Sequence, residues 1–356
     1  MHRIKLAYMT EQLLSHAARL LNRAANIFDS DDPLVVVPYR GFASQDKFYL
    51  KGRVLENEGV FEGKSESQIR NLMDTLRRFE SDEVAGATVA LNLMGGEHLV
   101  TSDEEGYFTL ERNWDSPLSP TENRWLAATA RLVESEGSLL PTEAAPVEIL
   151  LPSENASFGI ISDIDDTVMQ THVTSRFKLK MLYATLFKDS HQRLPMEGIP
   201  DLLRALEKGG DQLRENPIFY VSDSPWNIYD LIVEFMALQN LPKGPILLRD
   251  YGLQMLKRNA DNPIHKIESF RQIMKMYPDL PFVMLGDTAS KDADFYLQMA
   301  EEFSGRILAI YIRETRDTKN ARRIEKLIEA NSNIAAVRVH SSQEIWEDAK
   351  RRGLVG

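Results

Sequence analysis

The sequence predicts an α/β protein: a parallel sheet with helices on both faces, preceded by a small β-sandwich-like unit and an N-terminal amphipathic helix. Three observations predict it. Residues 4–28 carry Leu13, Leu14, Ala17, Leu20, Leu21, Ala24, Ile27 and Phe28 at helical spacing. Residues 33–152 hold short strand-like runs separated by turn signals. From about residue 153 apolar strands alternate with helical stretches, the pattern of a parallel sheet covered on both sides. The expected division is therefore 1–31, 32–152 and 153–356.

The N-terminal helix has a basic polar side in Arg3, Lys5, Arg19 and Arg23. It fits packing on the rest of the protein or on a partner subunit, as in a homo-oligomer. It also fits a membrane surface met by a basic face. In the second region the strands expected are Leu34–Val37, Phe48–Val54, Thr88–Leu93, His98–Ser102, Tyr107–Glu111 and Val147–Leu151. A helix interrupts them, opening on the capping pattern Ser65-Glu-Ser-Gln68 with Ile69, Leu72, Met73, Leu76 and Phe79 as its apolar stripe. No catalytic cluster is evident here.

In the third region the expected strands are Gly159–Ser162, Ile218–Ser222, Phe282–Gly286, Leu308–Ile312 and Ala336–Val339. Helical patterns lie near 197–209, 226–238, 264–277, 290–304 and 318–331. The basic run of residues 313–326, diluted by Glu314 and Asp317, reads as a solvated helix face.

Bulk properties narrow the function. The chain has 356 residues, enough for two or three domains. Its net charge of −11 argues against a general affinity for nucleic acid. Cysteine is absent, which removes disulfides, thiolate zinc sites and cysteine nucleophiles and fits a reducing, cytoplasmic setting. No secretory signal and no membrane-spanning run is read, so any membrane contact would be peripheral.

The chemistry gathers where strands end. The run Phe158-Gly-Ile-Ile-Ser-Asp163-Ile-Asp165-Asp166-Thr167 is an apolar strand that stops at two acids. At the carboxyl edge of a sheet, where α/β folds bind ligands, two converging carboxylates need a cation or a shared proton. Mg²⁺ meets that need when the substrate carries phosphate. A second strand ends in Ser222-Asp223-Ser-Pro225-Trp226, where a hydroxyl and free N–H groups can grip a phosphate oxygen or cap a helix. Lys266 opens a helix after Asn262-Pro263, a place the helix dipole disfavours; it is a phosphate ligand or a solvated lysine. A further strand ends in Gly286-Asp287, where glycine lets the backbone turn, with Asp292 following. Asp287 is placed to bind metal, and Asp292 to support it or to cap the next helix.

Taken together these four strand ends resemble the motifs of the haloacid dehalogenase superfamily of phosphohydrolases, over residues 155 to about 315. The strings Asp163-Ile-Asp-Asp-Thr167, Phe219-Tyr-Val-Ser-Asp-Ser-Pro-Trp226, Gly286-Asp-Thr-Ala-Ser-Lys-Asp292 and Ile310-Tyr-Ile-Arg313 look like the actin-patch-associated phosphatidate phosphatase family. That family more often has asparagine where Asp223 stands, so this chain adds negative charge beside the site.

The resemblance implies a Rossmann-like catalytic domain and an Mg²⁺-dependent phosphatase. Asp163 would be the nucleophile and Asp165 the acid and base, with Thr167 orienting it. Ser222 and Lys266 would bind the phosphoryl group, with Asp223 beside them. Asp163, Asp165 (through its carbonyl), Asp287 and Asp292 would serve the metal. The segment Val173–Lys188 would form a cap in which Arg176, Lys178 and Lys180 meet anionic headgroups and Leu182, Leu186 and Phe187 meet acyl chains, or an ordinary amphipathic lid. His172 and His191 beside it read as incidental. The substrate expected is phosphatidate or a related lipid phosphate. The alternatives are a soluble phosphoester, such as a nucleotide or polynucleotide end, and a non-catalytic membrane-peripheral scaffold.

Overall fold

The computed structural model describes residues 33–56, 84–118, 124–135, 138–139, 142–165, 168, 197–250, 264–288, 291–314 and 318–356. The helix expected over residues 4–28, the helix opening at Ser65, the segment 173–188 and the expected site residues Thr167, Arg176 and Lys178 lie outside them.

The first region folds around strands β1 (Leu34–Pro38), β2 (Gly41–Ala43), β3 (Lys47–Glu56), β4 (Thr88–Leu93), β5 (Gly96–Thr101), β6 (Tyr107–Asn113), β7 (Trp125–Ser135), β8 (Ser138–Leu139) and β9 (Ala145–Leu150). They join in one sheet in the order β1-β3-β2-β9-β7-β4-β5, with β6 on β3 and β8 on β7. All these pairings are antiparallel except β2 with β9. β1 nonetheless packs against β7, four places along the path. A flat sheet would hold them about 19 Å apart at ~4.8 Å per strand, so the sheet curls over on itself. One core fills the fold, with Val36, Phe48, Leu91, Phe108, Leu132 and Ile149 among its members.

β7 was not anticipated. Its run Trp125-Leu-Ala-Ala-Thr-Ala-Arg-Leu132 is rich in alanine, a good helix former. Burial nevertheless alternates with period two: Leu126, Ala128, Ala130 and Leu132 are buried, whereas Ala127, Thr129 and Arg131 are not. Small alanines fit because β7 lies between β9 and β4 under a crowded core.

The second region is a six-stranded parallel sheet ordered β12-β11-β10-β13-β14-β15. Its strands are β10 (Gly159–Asp163), β11 (Ile218–Pro225), β12 (Ile246–Arg249), β13 (Phe282–Asp287), β14 (Ile307–Arg313) and β15 (Ala336–Val339). The helices are α1 (Ile199–Lys208), α2 (Tyr229–Leu238), α3 (Ile264–Met276), α4 (Asp292–Glu302), α5 (Thr318–Ala330) and α6 (Ser342–Arg351). α1, α2 and α6 bury their apolar residues on one face of the sheet, with Ile160, Leu285 and Tyr311. α3, α4 and α5 do so on the other, with Ile161, Phe219 and Met284. The alternation in the sequence thus becomes the expected parallel sheet with two covered faces. β12 and α6 are additions at its margins.

The topology fixes where a ligand can sit. From β10 the chain builds outward to β11 and β12, then crosses back and builds the other way through β13, β14 and β15. Strand order therefore reverses between β10 and β13, and the crevice at their carboxyl ends is the switch point where open α/β sheets bind ligands.

The two sheets share hydrophobic material. Phe42 of β2 meets Phe219 of β11 edge-on at 5.7 Å, and Tyr39 and Tyr107 belong to a core of the parallel sheet. Ion pairs Arg124–Glu207, at 3.0 Å, and Lys243–Glu148 also join the two regions. No helix among the described residues is long and apolar enough to cross a membrane.

Candidate active site

Asp163 is the last residue of β10 and Asp287 the last of β13, so neighbouring strands deliver two carboxylates to the switch point. Both are almost wholly buried. Asp292 begins α4 and is also buried. It is not the helix cap: Lys291 holds that position and makes no side-chain cap bond. One carboxylate oxygen from each of Asp163, Asp287 and Asp292 lies within 4.8 Å of the others.

Gly286 makes this convergence possible through space, not through a sharp turn. It is an extended residue of β13. A Cβ there would stand 2.8 Å from the Asp292 Cβ and 2.8 Å from the Tyr296 ring. The Tyr296 hydroxyl donates to the Leu285 carbonyl at 2.8 Å and locks α4 onto β13 at that close spacing.

Lys266, in the first turn of α3, is 2% exposed. Its Nζ donates to Asp163 Oδ1 and to Asp292 Oδ1, each at 2.7 Å. Burial works to lower this ammonium, but Asp163 and then Asp292 outweigh it and hold its pKa well above the usual lysine value. The solvated-lysine alternative does not apply. The disfavoured place at a helix start is explained by the two carboxylates.

Burial pushes the Asp163 carboxyl well up, against the pull of Lys266 and with the push of Asp292, Asp287 and Asp165. Three carboxylates and one ammonium leave two surplus negative charges if all ionise. At an effective dielectric of about 20, each pair of like charges 4 Å apart costs roughly 4 kcal/mol.

Ser222 and Ser224 on β11 are both buried. Ser222 Oγ donates to Asp165 Oδ2 at 2.6 Å, Ser224 Oγ to the same oxygen at 3.2 Å, and the Ser224 N–H to Ser222 Oγ at 2.9 Å. Burial raises the Asp165 carboxyl; the Ser222 hydrogen bond opposes that rise. Ser224 was not among the expected site residues. Its signal was in the sequence, a second hydroxyl two places after Ser222 and so on the same side of an extended strand. Asp223 points the other way, is partly exposed and lies 3.8 Å from the Arg249 guanidinium, so its extra negative charge has a basic neighbour.

The donor set fits a hard divalent cation. It consists of carboxylate oxygens, with no histidine or thiolate in the group. Asp163 Oδ2 is buried and accepts no hydrogen bond from the described residues, a costly state for a carboxylate oxygen unless a cation meets it.

Residues 158–314 match the family model described as "Phosphatidate phosphatase APP1, catalytic domain". The chain is 27% identical over 262 residues to the phosphatidate phosphatase APP1 of Saccharomyces cerevisiae, an alignment covering 72% of this chain and 43% of that protein. It is 27% identical over 252 residues to an uncharacterized protein of Schizosaccharomyces pombe, covering 70% of this chain and 38% of that one. The chain thus spans less than half the length of these relatives. A solved structure of a Bifidobacterium dentium β-glucuronidase complexed with coumarin-3-O-glucuronide aligns with 86% of this chain and 60% of its own at 10% identity and a TM-score of 0.23, and carries no argument. The matched span starts just before β10 and ends just after β14, and so contains Asp163, Asp165, Ser222, Ser224, Lys266, Asp287 and Asp292. Over those residues the chain resembles the APP1 phosphatidate phosphatases, as its motifs led us to expect.

Proposed function

We propose that this chain is a phosphoric monoester hydrolase that uses Mg²⁺ and acts on phosphatidate or a closely related lipid phosphate. The observation that carries the reading is the buried group of Asp163, Asp287 and Asp292 around Lys266 at the sheet's switch point, inside the span that resembles phosphatidate phosphatase. In this reading residues 153–356 form a Rossmann-like catalytic domain of the haloacid dehalogenase type. Residues 32–152 form an accessory domain, whose curled sheet supports the sandwich-like description.

Asp163, Asp287 and Asp292, with the Asp165 carbonyl, would hold Mg²⁺, which supplies the positive charge that lets a phosphate dianion enter an acidic site. The Asp163 carboxylate attacks phosphorus, and the bond from phosphorus to the leaving alkoxide breaks. Asp165, whose carboxyl burial raises, donates the proton that this alkoxide takes up. In the second step Asp165 takes a proton from water. The hydroxide oxygen bonds to phosphorus, the acyl phosphate bond breaks, and Asp163 is regenerated with release of inorganic phosphate.

Lys266 and the Ser222 hydroxyl hold non-bridging oxygens of the transferring group, where charge is spread in the transition state. Ser224 keeps Asp165 in place when Ser222 turns to substrate. Thr167, Arg176 and Lys178 are assigned their roles from the sequence resemblance alone, the last two toward an anionic headgroup.

The test is phosphate release from phosphatidate in mixed micelles, beside water-soluble phosphomonoesters, with Mg²⁺ or EDTA. The reading expects release from phosphatidate with Mg²⁺ only. Release confined to the soluble esters would keep the phosphatase and overturn the lipid substrate.

A further inference from the structure

The first sheet reaches the edge of the site through three side chains. Tyr39 follows β1, and its ring stacks on Trp226 with centroids 4.1 Å apart and planes 18° from parallel. Arg53 of β3 is 4% exposed. It donates to the Glu105 carbonyl at 3.0 Å and to Asn227 Oδ1 at 3.4 Å, over the Tyr107 ring. Lys51, two residues earlier on β3, binds Asp250 at 2.8 Å. Trp226 and Asn227 open the turn that directly follows Ser222 and Ser224. Asp250 directly follows β12, on the path toward the helix that carries Lys266.

The turn needs outside support. The 3₁₀ turn Trp226–Ile228 starts after Pro225 with no side-chain cap, and α2 starts after Ile228 again with none. Helix starts leave backbone N–H groups unpaired, and a cap usually fixes the entry of the chain. Here the entry is fixed by a stacked ring and a buried guanidinium from another sheet. The backbone so held carries both hydroxyls that grip Asp165.

We propose that Tyr39, Lys51 and Arg53 are positioning residues, and that the first sheet serves as a clamp on the Ser222–Ile228 turn of the active site. For its kinetic half the proposal rests on the phosphatase reading above.

The experiment uses the full chain and three variants, Tyr39→Phe, Tyr39→Leu and Arg53→Met. Two readouts are taken: amide hydrogen exchange over residues 222–229, and kcat and KM for Mg²⁺-dependent release from p-nitrophenyl phosphate. Tyr39→Leu loses the stack and is expected to speed exchange in the turn by about tenfold or more, with β10 and β13 unchanged. Its kcat is expected to fall about tenfold while KM moves less than about twofold, because misplaced groups cost rate more than binding. Tyr39→Phe keeps the ring and is expected to match wild type in both.

Should Tyr39→Leu fail to fold, Asn227→Ala removes the acceptor of Arg53 and tests the clamp through that second contact. Unchanged exchange in the turn of folded Tyr39→Leu, Arg53→Met or Asn227→Ala protein overturns the clamp. So does faster exchange with kcat intact. Should wild type release no phosphate from any ester, the phosphatase reading fails, and the exchange data alone uphold or overturn the clamp.

Discussion

Lys266 Nζ lies 2.7 Å from Asp163 Oδ1 and 2.7 Å from Asp292 Oδ1, so one buried ammonium joins the strand β10 edge to the first turn of α4. Removing one partner from a buried ionic group leaves charge uncompensated. Lys266→Met is therefore expected to lower kcat by about 10²–10³-fold, the scale of losing one transition-state donor. It is also expected to destabilise the protein by about 3–5 kcal/mol in EDTA. Steady-state kinetics and urea unfolding check the two effects. A variant with wild-type kcat would remove Lys266 from the chemistry.

Gly286→Ala tests the spatial reason for glycine on β13. The new methyl carbon would meet the Asp292 Cβ at 2.8 Å, closer than such atoms pack. Overpacking of this kind costs about 1–3 kcal/mol. The displaced Asp292 should also weaken divalent-cation binding. Unfolding and isothermal titration with Mg²⁺ measure both, and unaltered cation binding would show that Asp292 stands apart from the metal.

The two serines should rank by their geometry. Ser222 Oγ holds Asp165 at 2.6 Å and Ser224 Oγ at 3.2 Å. Hydrogen bonds to charged groups contribute about 1.5–3 kcal/mol, or ~10–150-fold in rate if fully expressed in kcat. Ser222→Ala is expected to fall in that range and Ser224→Ala below it. The order of the two kcat values decides the matter.

A pH effect on folding is expected far from the site. Asp348 of α6 accepts from the Arg352 and Tyr311 side chains and pairs with Arg351. Burial tends to raise its carboxyl, but the Arg352 and Tyr311 hydrogen bonds win and hold it below the usual carboxylate value. A depressed folded pKa gives stability that is present above the unfolded value, about 3.9, and lost as pH falls through the folded one. Thermal unfolding of Asp348→Asn should therefore lie below wild type at pH 7, and the gap should close below about pH 4. A gap independent of pH would mean the ionic partners contribute nothing.

The parallel sheet was legible because its strands are buried on both faces and read as apolar runs broken by helical periods. The acids at its edge were legible because the apolar runs of β10 and β13 each stop abruptly at one. The position of Lys266 was not fully legible. A lysine in a first helical turn looks solvated until the topology brings Asp163 and Asp292 against it from elements 103 and 26 residues away in the chain. β7 was missed because alanine favours helices locally while the core around it wanted small side chains in a strand. The contact of Tyr39 with Trp226 left no local trace at all, since it joins two sheets across a long stretch of chain.

The most direct test of the central claim is phosphate release from phosphatidate by wild type and Asp163→Asn, each with Mg²⁺ and with EDTA. The account predicts release by wild type with Mg²⁺ and none in the other three conditions. Undiminished release in EDTA, or by the Asp163→Asn protein, would contradict it.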